Sequence, residues 1–190
     1  MALDGTPEVV PYPKRFSCLT QDDFVFDPNI TRQALKTSIL IGVISDTHGL
    51  LRPEGLAALR GSEYIIHAGD VGGPEILDEL RVIAPVTAIR GNIDKGAWAR
   101  RLPEAEVVEV GGISIYVLHD LAQLDLKPEA AGFRVVIYGH SHIPKQEMRA
   151  GVLYFNPGSA GPRRFKLPVT VGRLILEGGT VRAEIVNISG

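Results

Sequence analysis

Apolar positions in this chain fall into short runs that stop abruptly at Gly, Asp, Asn or His. The run Ile39-Leu40-Ile41-Gly42-Val43-Ile44 ends in Ser45-Asp46-Thr47-His48-Gly49. An unbroken aliphatic run of that length suits a strand covered on both faces, and therefore a sheet sandwiched by helices. Glu63 to His67 reads as a second strand, ending in Ala68-Gly69-Asp70, and Val86 to Ile89 as a third, running into Arg90-Gly91-Asn92-Ile93-Asp94. Between them Pro53 opens a short helix through Leu59, with proline in the first turn where its missing N–H costs least. Gly73 to Ile83 places Ile76, Leu77, Leu80 and Ile83 on one face of an amphipathic helix. Beyond the carboxyl ends of such strands an open α/β sheet gathers its working groups. Three successive strands here deliver Asp or Asn to that position.

The second half reads differently. Glu106 to Val110 and Ile113 to Leu118 flank Gly111-Gly112 as a hairpin whose second arm ends in His119. A short helical stretch is expected near Lys127 to Ala131. Val135 to Tyr138 is a strand followed at once by Gly139-His140-Ser141-His142, and Val152 to Phe155 leads into the turn Asn156-Pro157-Gly158-Ser159. Val169 to Leu176 and Val181 to Ile188 alternate around Glu177-Gly178-Gly179 as a closing hairpin. Parallel βαβ units followed by antiparallel hairpins predict two packed sheets with helices outside.

This pattern starts only at Ile39, so residues 1–38 are read as an extension and 39–190 as the domain. Met1 to Pro13 is a loose, Pro- and acid-rich tail. Tyr12, Phe16, Phe24, Phe26 and Leu35 make the stretch after it too aromatic for such a tail, and predict a docked arm with Thr31 capping a short helix from Arg32 to about Lys36. An arm of this kind would serve as an ornamental extension, with dimerisation or cover for a site as the alternatives.

Composition bounds the rest. The chain has 190 residues, 45% of them apolar and 22% charged, enough for one domain with a sizeable core. A net charge of −2 gives no bulk attraction to nucleic acid or anionic membrane, although a nucleic-acid substrate could still bind at a local site. The single Cys18 excludes an internal disulfide and a Cys-based zinc site, and fits a reducing, cytoplasmic setting. There is no basic start followed by an apolar core, as a signal peptide needs, and no run long enough to span a bilayer.

The chemistry lies in Asp46, His48, Asp70, Asn92, His119, His140 and His142, all placed just after apolar runs. Taken singly, Asp-x-His after a strand is a common turn, and Gly91-Asn92 is what any tight turn looks like. Two imidazoles two apart in Gly-His-Ser-His seldom serve packing. In joint order, four of the five His residues stand at strand ends among two Asp and one Asn. Seven donors are too many for one ion and suit two divalent ions sharing a bridging carboxylate, which in two-metal hydrolases stand about 3.5 to 4 Å apart. Imidazole, carboxylate and amide donors without thiolate favour Mn, Fe, Zn, Ni or Co over Ca or Mg. Such a pair would bring a bridging water to a pKa near 7, and with two carboxylates and one hydroxide would carry about +1, a match for a phosphodiester monoanion.

In that order, Asp46-Thr47-His48, Gly69-Asp70, Gly91-Asn92, His119 and Gly139-His140-Ser141-His142 resemble the signature of the calcineurin-like metallophosphoesterases. Within that family the chain is most similar to the small single-domain, YfcE-type phosphodiesterases. The likeness covers about residues 39 to 188. It implies a four-layer α/β/β/α sandwich and a dinuclear site at the strand ends, Mn being the leading metal. By the same likeness Asp46, His48 and His142 hold one ion, Asn92, His119 and His140 the other, and Asp70 bridges. Many relatives follow Gly-Asn with a His that Ile93-Asp94 replaces here, so Asp94 is a candidate acid if the site raises its pKa, or else an orienting group. Asp94 and His140 are the catalytic candidates. Asp120 stands where Gly more often follows the His, and reads best as a helix N-cap.

His67 reads as packing or as a hydrogen-bonding support to the ligands. Arg90, Arg163 and Arg164 are candidate substrate contacts that could equally face water, and Asn156 and Ser159 resemble a loop near the site in relatives. The expected function is hydrolysis of a phosphodiester by a metal-activated hydroxide, on a small phosphodiester or nucleotide-type substrate, with nucleic acid not excluded and no membrane partner. The alternatives are a phosphomonoesterase or nucleotidase, and a non-catalytic scaffold, since a retromer subunit is similar in fold. No aromatic stacking platform stands out after Ile39.

Overall fold

The computed structural model describes residues 38–189. The expected tail, aromatic arm and Thr31-capped helix lie outside the described residues. From Ile39 on, strands β1 (Ile39–Ile44), β2 (Tyr64–His67) and β3 (Val86–Ala88) alternate with helices α1 (Pro53–Leu59) and α2 (Pro74–Arg81). Strands β4 (Ala105–Val110), β5 (Ile113–Leu118), β6 (Val135–Ile137), β7 (Lys145–Arg149) and β8 (Val152–Asn156) follow, and β9 (Thr170–Glu177) with β10 (Thr180–Asn187) closes the fold.

The strands form two five-stranded sheets in the orders β10-β9-β1-β2-β3 and β4-β5-β6-β8-β7. The first is parallel from β1 through β2 to its edge at β3 and antiparallel on the β9-β10 side, whereas the second is parallel in its middle (β5-β6-β8) and antiparallel at both edges. Ile44 stands level with His67, and His67 with Ala88, so the first three parallel strands end together. Val117, Ile137 and Phe155 are level in the second sheet. Six parallel strands therefore end in level rows; five are followed within four residues by a candidate ligand, and the sixth, β8, ends in Asn156.

Aliphatic burial holds the sheets in place. Ile41, Val43 and Ile66 from the first sheet meet Ile115, Ile137 and Phe155 from the second in a dry layer. On the other face of the first sheet Ile44, Ile65 and Val171 pack against Leu59, Leu77 and Leu80 of the two helices. Each such side chain contributes about 1.5–3 kcal/mol by leaving water. This double coverage explains why β1 and β6 read as continuous apolar runs.

The outer face of the second sheet is covered more thinly. Leu118, Val136, Tyr138, Val152 and Tyr154 pack under Leu121 and Leu124. These come from a 3-10 turn over Leu121–Gln123, capped by the Asp120 carboxylate, which accepts the Ala122 N–H at 3.0 Å. Asp120 is thus the cap expected of it. The helix expected near Lys127 to Ala131 is a single turn, in which Lys127 O accepts from Ala130 and Ala131 before Gly132 turns left-handed at φ +82°. Five residues give too little propagation to offset helix nucleation. Strand β7 escaped the pattern because Lys-Gln-Glu-Met-Arg carries one apolar residue. It is an exposed edge strand whose alternating charges discourage pairing with another chain.

Candidate metal centre

All seven ligand candidates converge above the strand ends. On one side the Nε2 atoms of His48 and His142 lie 3.2 Å apart, with Asp46 Oδ1 at 3.9 Å from the first and 3.3 Å from the second. On the other, Asn92 Oδ1 lies 3.1 Å from His119 Nε2 and 3.2 Å from His140 Nδ1. Asp70 stands between, with Oδ2 at 3.8 Å from His48 Nε2 and Oδ1 at 3.4 Å from His119 Nε2. Asp46, His48 and His142 offer donor atoms close enough together for one ion, and so do Asp46, Asp70 and His119.

The protonation pattern fits cations. His119 Nδ1 lies 2.7 Å from the Ala68 carbonyl, which can only accept, so Nδ1 carries a proton and Nε2 is the nitrogen turned towards the Asp70 and Asn92 oxygens. Oxygens gathered around Nε2 call for a positive charge there, met by a proton on the ring or by a metal ion in its place. Asp46 makes the same point: Oδ2 accepts from Ser45 Oγ at 2.7 Å and His140 N at 3.1 Å, while buried Oδ1 has no hydrogen-bond partner. Burial works against the Asp70 carboxylate, but the His119 hydrogen bond, the Ile93 N–H and the His119 and His48 charges together hold its pKa below the usual value. Burial, with Arg164 and His142, lowers the pKa of His48 despite Asp70 and Asp46, and so favours the neutral form that ligates. Burial likewise opposes a charge on His119, but its hydrogen bonds to Asp70 and Ala68 and the nearby carboxylates raise its pKa.

The backbone is bent to this purpose. Among the described residues seven non-glycine residues have positive φ, and five of them are Asp46, His48, Asp70, His140 and His142. Left-handed backbone costs an L-residue about 1–2 kcal/mol and persists where the surroundings over-determine it. Two glycines allow the loops to approach: a Cβ on Gly91 would lie 2.2 Å from Asp70 Oδ1, and one on Gly139 would lie 2.0 Å from Ser45 Oγ.

Residues behind the ligands fix the loops. The Asp94 carboxylate accepts from Val71 N (3.1 Å), Gly72 N (2.8 Å) and Gly91 N (2.9 Å), tying the loop after β2 to the loop after β3. Asn156 Nδ2 donates to Gly139 O at 2.8 Å, and Ser159 Oγ donates to Asp46 O at 3.0 Å. The sequence offered Asp94 as an orienting group and Asn156 and Ser159 as a loop near the site, but carried no signal for the backbone groups they hold.

His67 is fully buried, its Nε2 2.9 Å from Thr47 Oγ1. Thr47 donates its own proton to Val71 O, so His67 must donate from Nε2. Burial pushes its pKa down to about 4. Because that lies below the unfolded value, the unfolded chain takes up the proton first as pH falls, and the stability fully present above pH 6.5 is lost progressively towards pH 4. From pH 7 to 5 this group is expected to cost about 2 kcal/mol, read from urea unfolding, and His67→Gln should remove that part of the slope. An unchanged slope in the variant would refute the assignment.

The substrate candidates separate. Arg164 Nη2 lies 3.4 Å from His48 Nε2, at the edge of the cluster. Arg163 lines a different recess with Arg52 and Glu54. Arg90 pairs with Glu104 and, with Lys95, Gln123 and Asn92, lines a polar cavity of about 360 Å3 beside His119 and His140.

A model of the calcineurin-like phosphoesterase superfamily domain matches residues 39–179. A probable metallophosphoesterase of Methanothermobacter thermautotrophicus is 35% identical over 161 residues, covering 78% of this chain and 92% of the relative. The phosphodiesterase YfcE of Escherichia coli K12 is 27% identical over 160 residues, covering 68% and 84%. Among solved structures, an archaeal phosphodiesterase matches with a TM-score of 0.65 at 25% identity, covering 78% of this chain and all of that one (100%). Vacuolar protein sorting 29 of Cryptosporidium parvum matches in fold with a TM-score of 0.64 at 18% identity, covering 80% and 99%. Two packed mixed sheets with imidazole, carboxylate and amide donors at their strand ends define the class of phosphoester hydrolases that use divalent metal ions. The chain belongs to the calcineurin-like phosphoesterase superfamily. Among the described residues no helix is long and apolar enough to cross a membrane.

Proposed function

We propose that the protein is a phosphodiesterase that works with two divalent ions, Mn²⁺ foremost, and hydrolyses its substrate directly with water. The observation that carries this reading is the position of Asp70, whose two oxygens face the two halves of the cluster separately. Asp46, His48 and His142 would hold one ion, Asn92, His119 and His140 the other, and Asp70 both. When bound, such a pair lowers the pKa of water to near 7 and polarises phosphoryl oxygens.

The chain's own groups supply orientation. The Ala68 carbonyl sets the His119 tautomer, and Ser45 with the His140 N–H holds Asp46 so that Oδ1 faces the cluster. Arg164 is placed to meet a phosphoryl oxygen on the His48 side. The leaving group would occupy the cavity bordered by Arg90, Lys95 and Gln123. Asp94 has the orienting role and not that of the acid, since both its oxygens hold backbone N–H groups.

The test is hydrolysis of bis(p-nitrophenyl) phosphate beside p-nitrophenyl phosphate by the chelator-stripped full chain, with and without Mn²⁺. Diester turnover that requires Mn²⁺ and exceeds monoester turnover is expected. A monoester preference would shift the reading to a nucleotidase. Metal uptake without turnover on either ester would favour the non-catalytic scaffold.

A further inference from the structure

Residues 163–166 differ from the surface around them. Arg163, Arg164, Phe165 and Lys166 are all exposed, and they put three positive charges into four residues of a chain whose net charge is −2. Phe165 exposes 94% of its surface and sits at φ +52°, a conformation that a bulky L-residue seldom adopts. The loop is anchored where it begins, Gly161 N–H donating to Asp46 O at 3.2 Å, and closes on itself in a turn in which Leu167 N–H donates to Arg164 O at 3.1 Å. Arg164, 3.4 Å from His48, sets it against the metal centre.

We propose that this loop is a platform for single-stranded nucleic acid, with Phe165 stacking on a base and Arg164 and Lys166 following the phosphates into the centre. The proposal rests on the phosphodiesterase reading and names its substrate class. An aromatic face beside cations is the chemistry by which single strands are held without sequence preference. On the far side Lys95 and Arg90, the latter paired with Glu104, border the cavity next to His119 and His140, which Asp94 and Asp120 also line. A polyanion crossing the centre meets cations before and after it. A bilayer would touch only the tip of the loop, and the Arg90 and Lys95 side would have no role.

The test is fluorescence anisotropy of a labelled ten-nucleotide oligo(dT) with the chelator-stripped full chain, in which binding is read without cleavage. Phe165→Ala is expected to raise Kd about tenfold. Phe165→Trp is expected to keep the wild-type Kd and to be quenched by the strand, over the background of Trp98. Replacing Arg164 and Lys166 together by Gln should make the plot of log K against log salt shallower by about 1.4. Equal Kd for wild type and Phe165→Ala would overturn the proposal. So would a Phe165→Trp signal that responds to phosphatidylserine vesicles and not to the strand. Phe165-dependent strand binding without turnover of the chromogenic diester would overturn the phosphodiesterase reading alone, whereas diester turnover without such binding would overturn the platform alone.

Discussion

Asp70→Asn is expected to lower Mn²⁺-dependent turnover of the chromogenic diester by more than about 100-fold, because groups merely supporting a metal ligand already cost 10- to 100-fold when changed. The variant keeps the shape of the side chain and an oxygen for the Ile93 N–H, now 3.0 Å away, so the fold should survive. It loses the negative charge that stands between the two groups of donors. Bound metal, counted by mass spectrometry after gel filtration, should fall from two per chain to one or fewer, with an unchanged circular dichroism spectrum. Turnover within threefold of wild type would remove Asp70 from the bridging position.

The second large effect concerns Asp94. Asp94→Ala leaves the Val71, Gly72 and Gly91 N–H groups without their acceptor, and each buried orphan donor costs about 1–3 kcal/mol. A loss of at least about 3 kcal/mol in urea unfolding is expected, together with weaker metal binding, because the loops carrying Asp70 and Asn92 are no longer tied. Asp94→Asn, which keeps one acceptor oxygen, should lose less stability. An Asp94→Asn variant with wild-type stability and metal content but a large fall in kcat would reinstate Asp94 as the acid.

The donor set was legible because it sits where the chain changes character. A strand covered on both faces must be apolar throughout, so the first polar residue after it is conspicuous, and six parallel strands repeated the signal from Asp46 to Asn156. Strand β7 was invisible for the complementary reason: an edge strand facing water needs no apolar alternation. The Lys127 to Ala131 segment had helical composition but too few residues to continue past one turn. Roles that depend on where loops meet could not be read from order alone. Asp94 looked like a candidate acid because it follows Gly91-Asn92, and its three backbone bonds exist only once β2 and β3 stand side by side. Arg163 and Arg164 are neighbours in sequence, yet Arg164 reaches His48 and Arg163 lines another recess. Phe165, a lone aromatic in a turn, became a stacking platform only through its exposure.

The most direct test of the central claim is a titration of the chelator-stripped full chain with Mn²⁺, following diester hydrolysis against equivalents added. The geometry of Asp70 between two donor clusters predicts that the rate rises to a plateau at two ions per chain. A plateau at one ion, or a rate independent of Mn²⁺, would contradict a dinuclear centre.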